Sequence, residues 1–85
     1  MGANQKNHKS IDSFLDRIDE HIAKYEQTIK IWNQELLTYY IKEIEKGFIS
    51  NINKIIKKTP MTKEQSDRLL NLKKYMNEKH NISLN

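Results

Sequence analysis

The chain contains no cysteine, a single proline and only two glycines among its 85 residues. Without thiols there is no disulfide to brace a small fold, no thiolate nucleophile and no zinc–thiolate site. With so little turn-forming material the connections must be few, and the elements between them long. The histidines, His8, His21 and His80, are spread across the chain without metal-ligand spacing. Arginine is nearly absent, with only Arg17 and Arg68. A glycine-rich phosphate loop and a serine in a nucleophile elbow are both missing. These absences lead us to expect no enzyme, no catalytic residue, no cofactor and no metal. No apolar run approaches the roughly 18 residues of a membrane span. The first residues have no apolar secretory core, so the expected location is cytoplasmic, away from the membrane.

What is present is a helical seam. Apolar residues fall at Ile11, Leu15, Ile18, Ile22, Tyr25, Ile29, Trp32, Leu36 and Tyr39. Their steps alternate between four and three, the repeat of an α-helix that buries one stripe against another helix. From Leu36 the stripe continues through Tyr40, Ile44 and Phe48 in steps of four, a stutter that locally unwinds a supercoil. The pattern predicts one helix from about residue 11 to residue 58. A break at Gly47, acting as a C′ glycine, is the second reading, and a turn near Asn33 is the third. Residues 1–9 are polar and without period, and read as a flexible tail.

Thr59-Pro60 ends the long segment, because the residue before proline is pushed out of the α region. Thr62 and Gln65 form a capping box. It opens a second helix over about residues 63–80, which buries Leu69, Leu72, Tyr75 and Met76. The expected fold is therefore all-α, one helical domain over residues 10–85: a long amphipathic helix with a shorter helix folded back as a hairpin.

Two resemblances bear on this. Asn33-Gln34-Glu35-Leu36-Leu37 is similar to the SQELD motif of the small sporulation aspartyl-phosphate phosphatases. Leu37 stands where that activity needs aspartate, so the activity does not carry over. Phe14 through His21-Ile22, then Thr38-Tyr39-Tyr40, then Met61-Thr62-Lys63 before a basic amphipathic helix, resembles the YvfG-like small Bacillus proteins. Those are two-helix homodimers of unknown function, so the resemblance implies a two-helix dimer and no activity.

In such a hairpin the shorter helix covers less than half of the longer one. The stripe from Ile11 to Ile29, with Phe14 beside it, would then be exposed, and a contiguous apolar patch of that size marks an interface. Candidate oligomer and partner contacts are Ile11, Phe14, Leu15, Ile18, Ile22, Tyr25, Ile29, Trp32, Leu36 and Tyr39. No complementary charge set flanks the seam: Asp19 and Glu26 would face His21 and Thr28. An antiparallel coiled coil or a four-helix-bundle homodimer is thus expected in place of a parallel zipper. The function this favours is a small interaction module, a regulator or adaptor that binds an unidentified protein. The alternative is a nucleic-acid accessory protein. Residues 42–85 carry ten basic and five acidic groups, and Lys54, Lys57, Lys58, Lys73 and Lys74 are its candidate phosphate contacts. Tyr25, Trp32 and Tyr39 read as bulky core members in preference to a base-stacking platform. Asp12, Asp16 and Glu20 lack the Glu-x-x-His of di-metal bundles and read as ordinary exposed acids early in a helix.

Overall fold

A computed structural model describes the backbone from Gly2 to Leu84 and the side chains from Asn4 to Leu84. In chain order the elements are α1 (Gly2–Ile29), α2 (Gln34–Lys42), a π-helical stretch (Glu43–Ile49), α3 (Ser50–Ile56) and α4 (Lys63–His80). The residues joining α2, the π-helical stretch and α3 keep right-handed helical angles. These three therefore form one continuous arm. The described residues are all helix and connection, with no strand.

The single helix expected over residues 11–58 is divided at residues 30–33. The N–H groups of Ile31 and Trp32 donate to the Thr28 carbonyl at 3.1 and 2.9 Å, closing α1. Trp32 then takes a left-handed conformation, with φ of 51°. Asn33 follows in extended conformation, and its Oδ1 accepts the Leu36 N–H at 3.2 Å as the N-cap of α2. Gly47 does not break the helix: it lies inside the π-helical stretch and has no positive φ. That stretch widens the helical turn by one residue, which is why the adjacent Phe48 and Ile49 both face the core.

The N-terminal residues also depart from expectation. α1 begins at Gly2, and its first turns are tied to the turn between α3 and α4. The Thr59 hydroxyl, 4% exposed, accepts from Asn7 Nδ2 at 2.7 Å and donates to Asn4 Oδ1 at 3.1 Å. His8 Nε2 donates to the Pro60 carbonyl at 3.0 Å. Met1 and Asn85, the ends of the expected tail and domain, lie outside the described residues.

α1 forms the centre of the fold, approached closely by α2, the π-helical stretch, α3 and α4, whereas the backbones of α3 and α4 stand farther from each other. Its stripe Ile11, Leu15, Ile18 and Ile22 is buried with Ile44, Phe48, Ile49 and Ile52 from the second arm and Leu69 and Met76 from α4. At ~25 cal/mol per Å² of apolar surface, each such side chain contributes about 1.5–3 kcal/mol. α4 starts at the capping box read from the sequence: Gln65 N–H donates to Thr62 Oγ1 and Thr62 N–H to Gln65 Oε1, both at 3.1 Å. Gln65 Nε2 also donates to the His8 carbonyl at 2.9 Å and to Asp12 Oδ1 at 2.8 Å. The side chain is 5% exposed with every polar hydrogen used, and it fixes α4 parallel to α1. Asn81, left-handed with φ of 56°, turns the chain so that Ile82 and Leu84 return to the core.

Because Gly47 lies inside a continuous helix, it carries an entropic cost without a conformational need. A Cβ built there meets only Glu43 Oε2, at 3.8 Å. We expect Gly47→Ala to stabilise the fold by about 0.5–1 kcal/mol, measured by chemical denaturation. Destabilisation would mean that the glycine is needed for a break in the helix.

Candidate interaction surface

Of the large apolar and aromatic residues left outside the core, Ile31, Trp32, Leu36 and Tyr39 gather at one end of the molecule, while Leu70 and Tyr75 are exposed along α4. Ile31 is 71% and Trp32 69% exposed on the 30–33 turn, and Tyr39 is 52% exposed on α2. Leu36 is at the edge of exposure beside them. An open groove of about 600 Å³ lies against Trp32, lined by Tyr25, Ile29, Leu37, Ile41 and Ile82 together with the polar Gln34, Thr38, Lys42, Glu45 and His80.

This distribution corrects the expected contact residues. Ile11, Leu15, Ile18 and Ile22 face the chain's own helices and are buried. Phe14 is half-buried against Phe48, ring centroids 6.3 Å apart. An interface built on these five would require the helices to separate. Tyr25 and Ile29 are half-buried. Only Trp32, Leu36 and Tyr39 of the original ten are exposed, so the reading of Trp32 and Tyr39 as core members is also overturned. The cause is a one-residue shift of register after the turn. The buried stripe restarts at Leu37 and runs through Ile41 and Ile44, leaving Leu36 and Tyr39 on the other side. Ile31, which falls outside the four–three repeat, joins the exposed set; Asn33 as an N-cap was the signal that pointed to it.

Two carboxylate clusters brace this end. Glu26 on α1 accepts a hydrogen bond from the Tyr75 hydroxyl, and one from His80 Nε2 at 3.0 Å, both on α4. The His80 ring stands edge-on to Tyr25 with centroids 5.2 Å apart. The Tyr75 bond, then the His80 bond, hold the Glu26 carboxyl below its ordinary value of 4.5. The same bond to Glu26 raises the Tyr75 phenol above 10.0. On the other flank Tyr39 donates to Glu43, which raises the Tyr39 phenol. His21 donates Nδ1–H to the Arg17 carbonyl at 3.1 Å, and its ring packs edge-on against Phe48 at 4.8 Å. These groups tie helices together.

The remaining candidates fall elsewhere. Asp12 is engaged by Gln65, and Asp16 accepts from Arg68 Nη2 at 2.7 Å. Both acids therefore dock α4. Among the described residues no three His, Asp or Glu side chains converge as a metal site, and no helix is long and apolar enough to cross a membrane. Lys54, Lys57 and Lys58 are exposed at the end of the second arm. Lys73 and Lys74 stand ten or more residues into α4, roughly 15 Å farther along at 1.5 Å per residue. The five lysines do not form one face. No protein-family model, curated protein or solved structure matches this chain.

Folded-state pKa values set the pH window of the Glu26 clasp. Glu26 is depressed, so its contribution is present above the ordinary glutamate range and is lost as pH falls through its folded value. Tyr75 is raised, so its contribution is present below 10.0 and is lost as pH climbs through its folded value. We expect Tyr75→Phe to move the Glu26 midpoint up toward 4.5, followed by carboxyl carbon NMR. An unmoved midpoint would remove Tyr75 as the main cause.

Proposed function

We propose that this protein is a non-enzymatic helical interaction module, a regulator or adaptor, and that it binds through the apolar end around Trp32. The observation carrying this reading is the turn itself. A left-handed conformation costs a side-chain-bearing residue about 1–2 kcal/mol, and the position normally goes to glycine or asparagine. Here it holds a tryptophan that contributes little to the core, since 69% of its surface stays in water. Tryptophan beside an apolar groove is the composition of an interface hot spot. The partner that fits is the apolar face of a helix laid into the groove, as in helix-in-groove recognition. Self-association takes the same route: with Ile11 to Ile22 used internally, a homodimer would pair these ends across a two-fold axis. An antiparallel bundle of paired α1 seams is not available without opening the fold.

Sedimentation equilibrium up to several hundred micromolar, on the wild type and on Trp32→Asn, tests the reading. We expect the wild type to self-associate and the variant to remain monomeric. We also expect the variant's stability to be unchanged or higher by up to about 1 kcal/mol, because asparagine tolerates the left-handed turn. A monomeric wild type would defeat the homodimer. A variant destabilised by well over 1 kcal/mol would make Trp32 a structural residue and defeat the module reading.

A further inference from the structure

The opposite end of the molecule carries the whole net charge of the chain. The bonds from Asn4, Asn7 and His8 to Thr59 and Pro60 hold the start of α1 against the turn between α3 and α4. Residues far apart in sequence thereby become neighbours: Lys6 and Lys9 on α1, Lys54 on α3, Lys57 and Lys58 in the turn, and Lys63 opening α4. All six are exposed, while Arg68, His21 and His80 face carboxylates in ion pairs. The same segments hold two carboxylates, Asp12 and Glu64, and Asp12 is engaged by Gln65. Six lysines against two acids leave +4, which is the formal net charge of the chain; elsewhere nine basic and nine acidic residues cancel. Two helices begin at this end and one finishes there, adding a net ~0.5 charge from their dipoles, small beside the side chains.

We propose that this basic end binds the sugar–phosphate backbone of duplex nucleic acid without sequence preference. The arginine near this end, Arg68, is engaged by Asp16, and among the described residues there no exposed aromatic ring offers a surface on which a base would stack. What it offers is clustered ammonium groups, which neutralise phosphates and release their counterions. The molecule is 21 Å by 17 Å across its long axis. A duplex carries one charge per ~1.7 Å of its axis with both strands counted, so an end 21 Å wide spans roughly a dozen phosphates, about half of them on the facing side and enough for six lysines. A membrane surface is disfavoured by placement. Interfacial binding needs several apolar anchors on the same side as the cations, whereas Ile31, Trp32, Leu36 and Tyr39 lie at the far end of α1 and the first half of α4 exposes a single large apolar side chain, Leu70. At 1.5 Å per residue its length is about 42 Å.

The test is fluorescence anisotropy with two unrelated 20-base-pair DNA duplexes, repeated between 50 and 200 mM salt, alongside sedimentation with phosphatidylserine vesicles. For four to six phosphates neutralised, log K should fall against log salt with a slope of about −3.5 to −5.5, a loss of roughly 100- to 2,000-fold over that range. Both duplexes should bind within a factor of ~2. Exchanging Lys6, Lys58 and Lys63 together for glutamine should flatten the slope by about 0.9 for each, with circular dichroism unchanged. Lys73→Gln combined with Lys74→Gln should leave it as it was. No binding of either duplex at 50 mM salt, binding to vesicles but not to DNA, or an equal effect from the Lys73 and Lys74 pair would each overturn the proposal.

Discussion

Burial of the α1 stripe is the constraint on which the rest of the structure depends. A helix with Ile11, Leu15, Ile18 and Ile22 on one side cannot leave that side in water, and an 85-residue chain without disulfides has few ways to cover it. The solution is to fold the chain twice within itself. The second arm returns along one flank and contributes Ile44, Phe48, Ile49 and Ile52, while α4 takes the other flank with Leu69 and Met76. Because α3 and α4 each approach α1 more closely than they approach each other, α1 is the common element that places every other helix. The polar ties follow the same plan: Gln65, Arg68, Tyr75 and His80 on α4 all reach acceptors on α1.

Much of this was legible in the residues. The helical class, the α1 stripe as far as Ile29, the stop at Thr59-Pro60 and the Thr62–Gln65 capping box are all read from periodicity and cap chemistry. The turn at residues 30–33 is poorly marked in the sequence because its left-handed position is filled by tryptophan, where glycine or asparagine normally signals a helix end. Trp32, Leu36 and Tyr39 also prolong the four–three repeat by coincidence, so the register ran through the turn as though it were helix. The true register, Leu37, Ile41 and Ile44, is one residue away, and the wider π-helical turn hides it again near Gly47. Misplacing that turn turned an internal seam into an expected intermolecular one. The N-terminal helix escaped detection for a different reason. Its stability comes from contacts with Thr59 and Pro60, more than 50 residues away, which no local pattern reports.

Folding the chain in this way sorts its surface into two unlike ends. The apolar end collects large side chains displaced from the core by the turn, with the Glu26 and Glu43 clusters beside them. The basic end collects six lysines whose charge is not balanced locally. Neither grouping is visible along the sequence: division into halves puts the positive charge in the C-terminal half and includes Lys73 and Lys74, while the fold replaces them with Lys6, Lys9 and Lys63. The molecule is 46 Å long, and the two groupings lie at opposite ends of it.

The central claim is that the seam of α1 is closed by its own chain through the turn at residues 30–33. An opened turn would give the continuous helix over residues 11–58 and the same contacts between two subunits. Isotope-filtered NOE spectra on a mixture of labelled and unlabelled protein distinguish these directly, using the Phe14 to Phe48 and His21 to Phe48 ring pairs, whose centroids are 6.3 and 4.8 Å apart. A closed chain places these cross-peaks wholly within one labelled molecule. Cross-peaks between labelled and unlabelled molecules would show that the seam is shared between subunits, and would contradict the account.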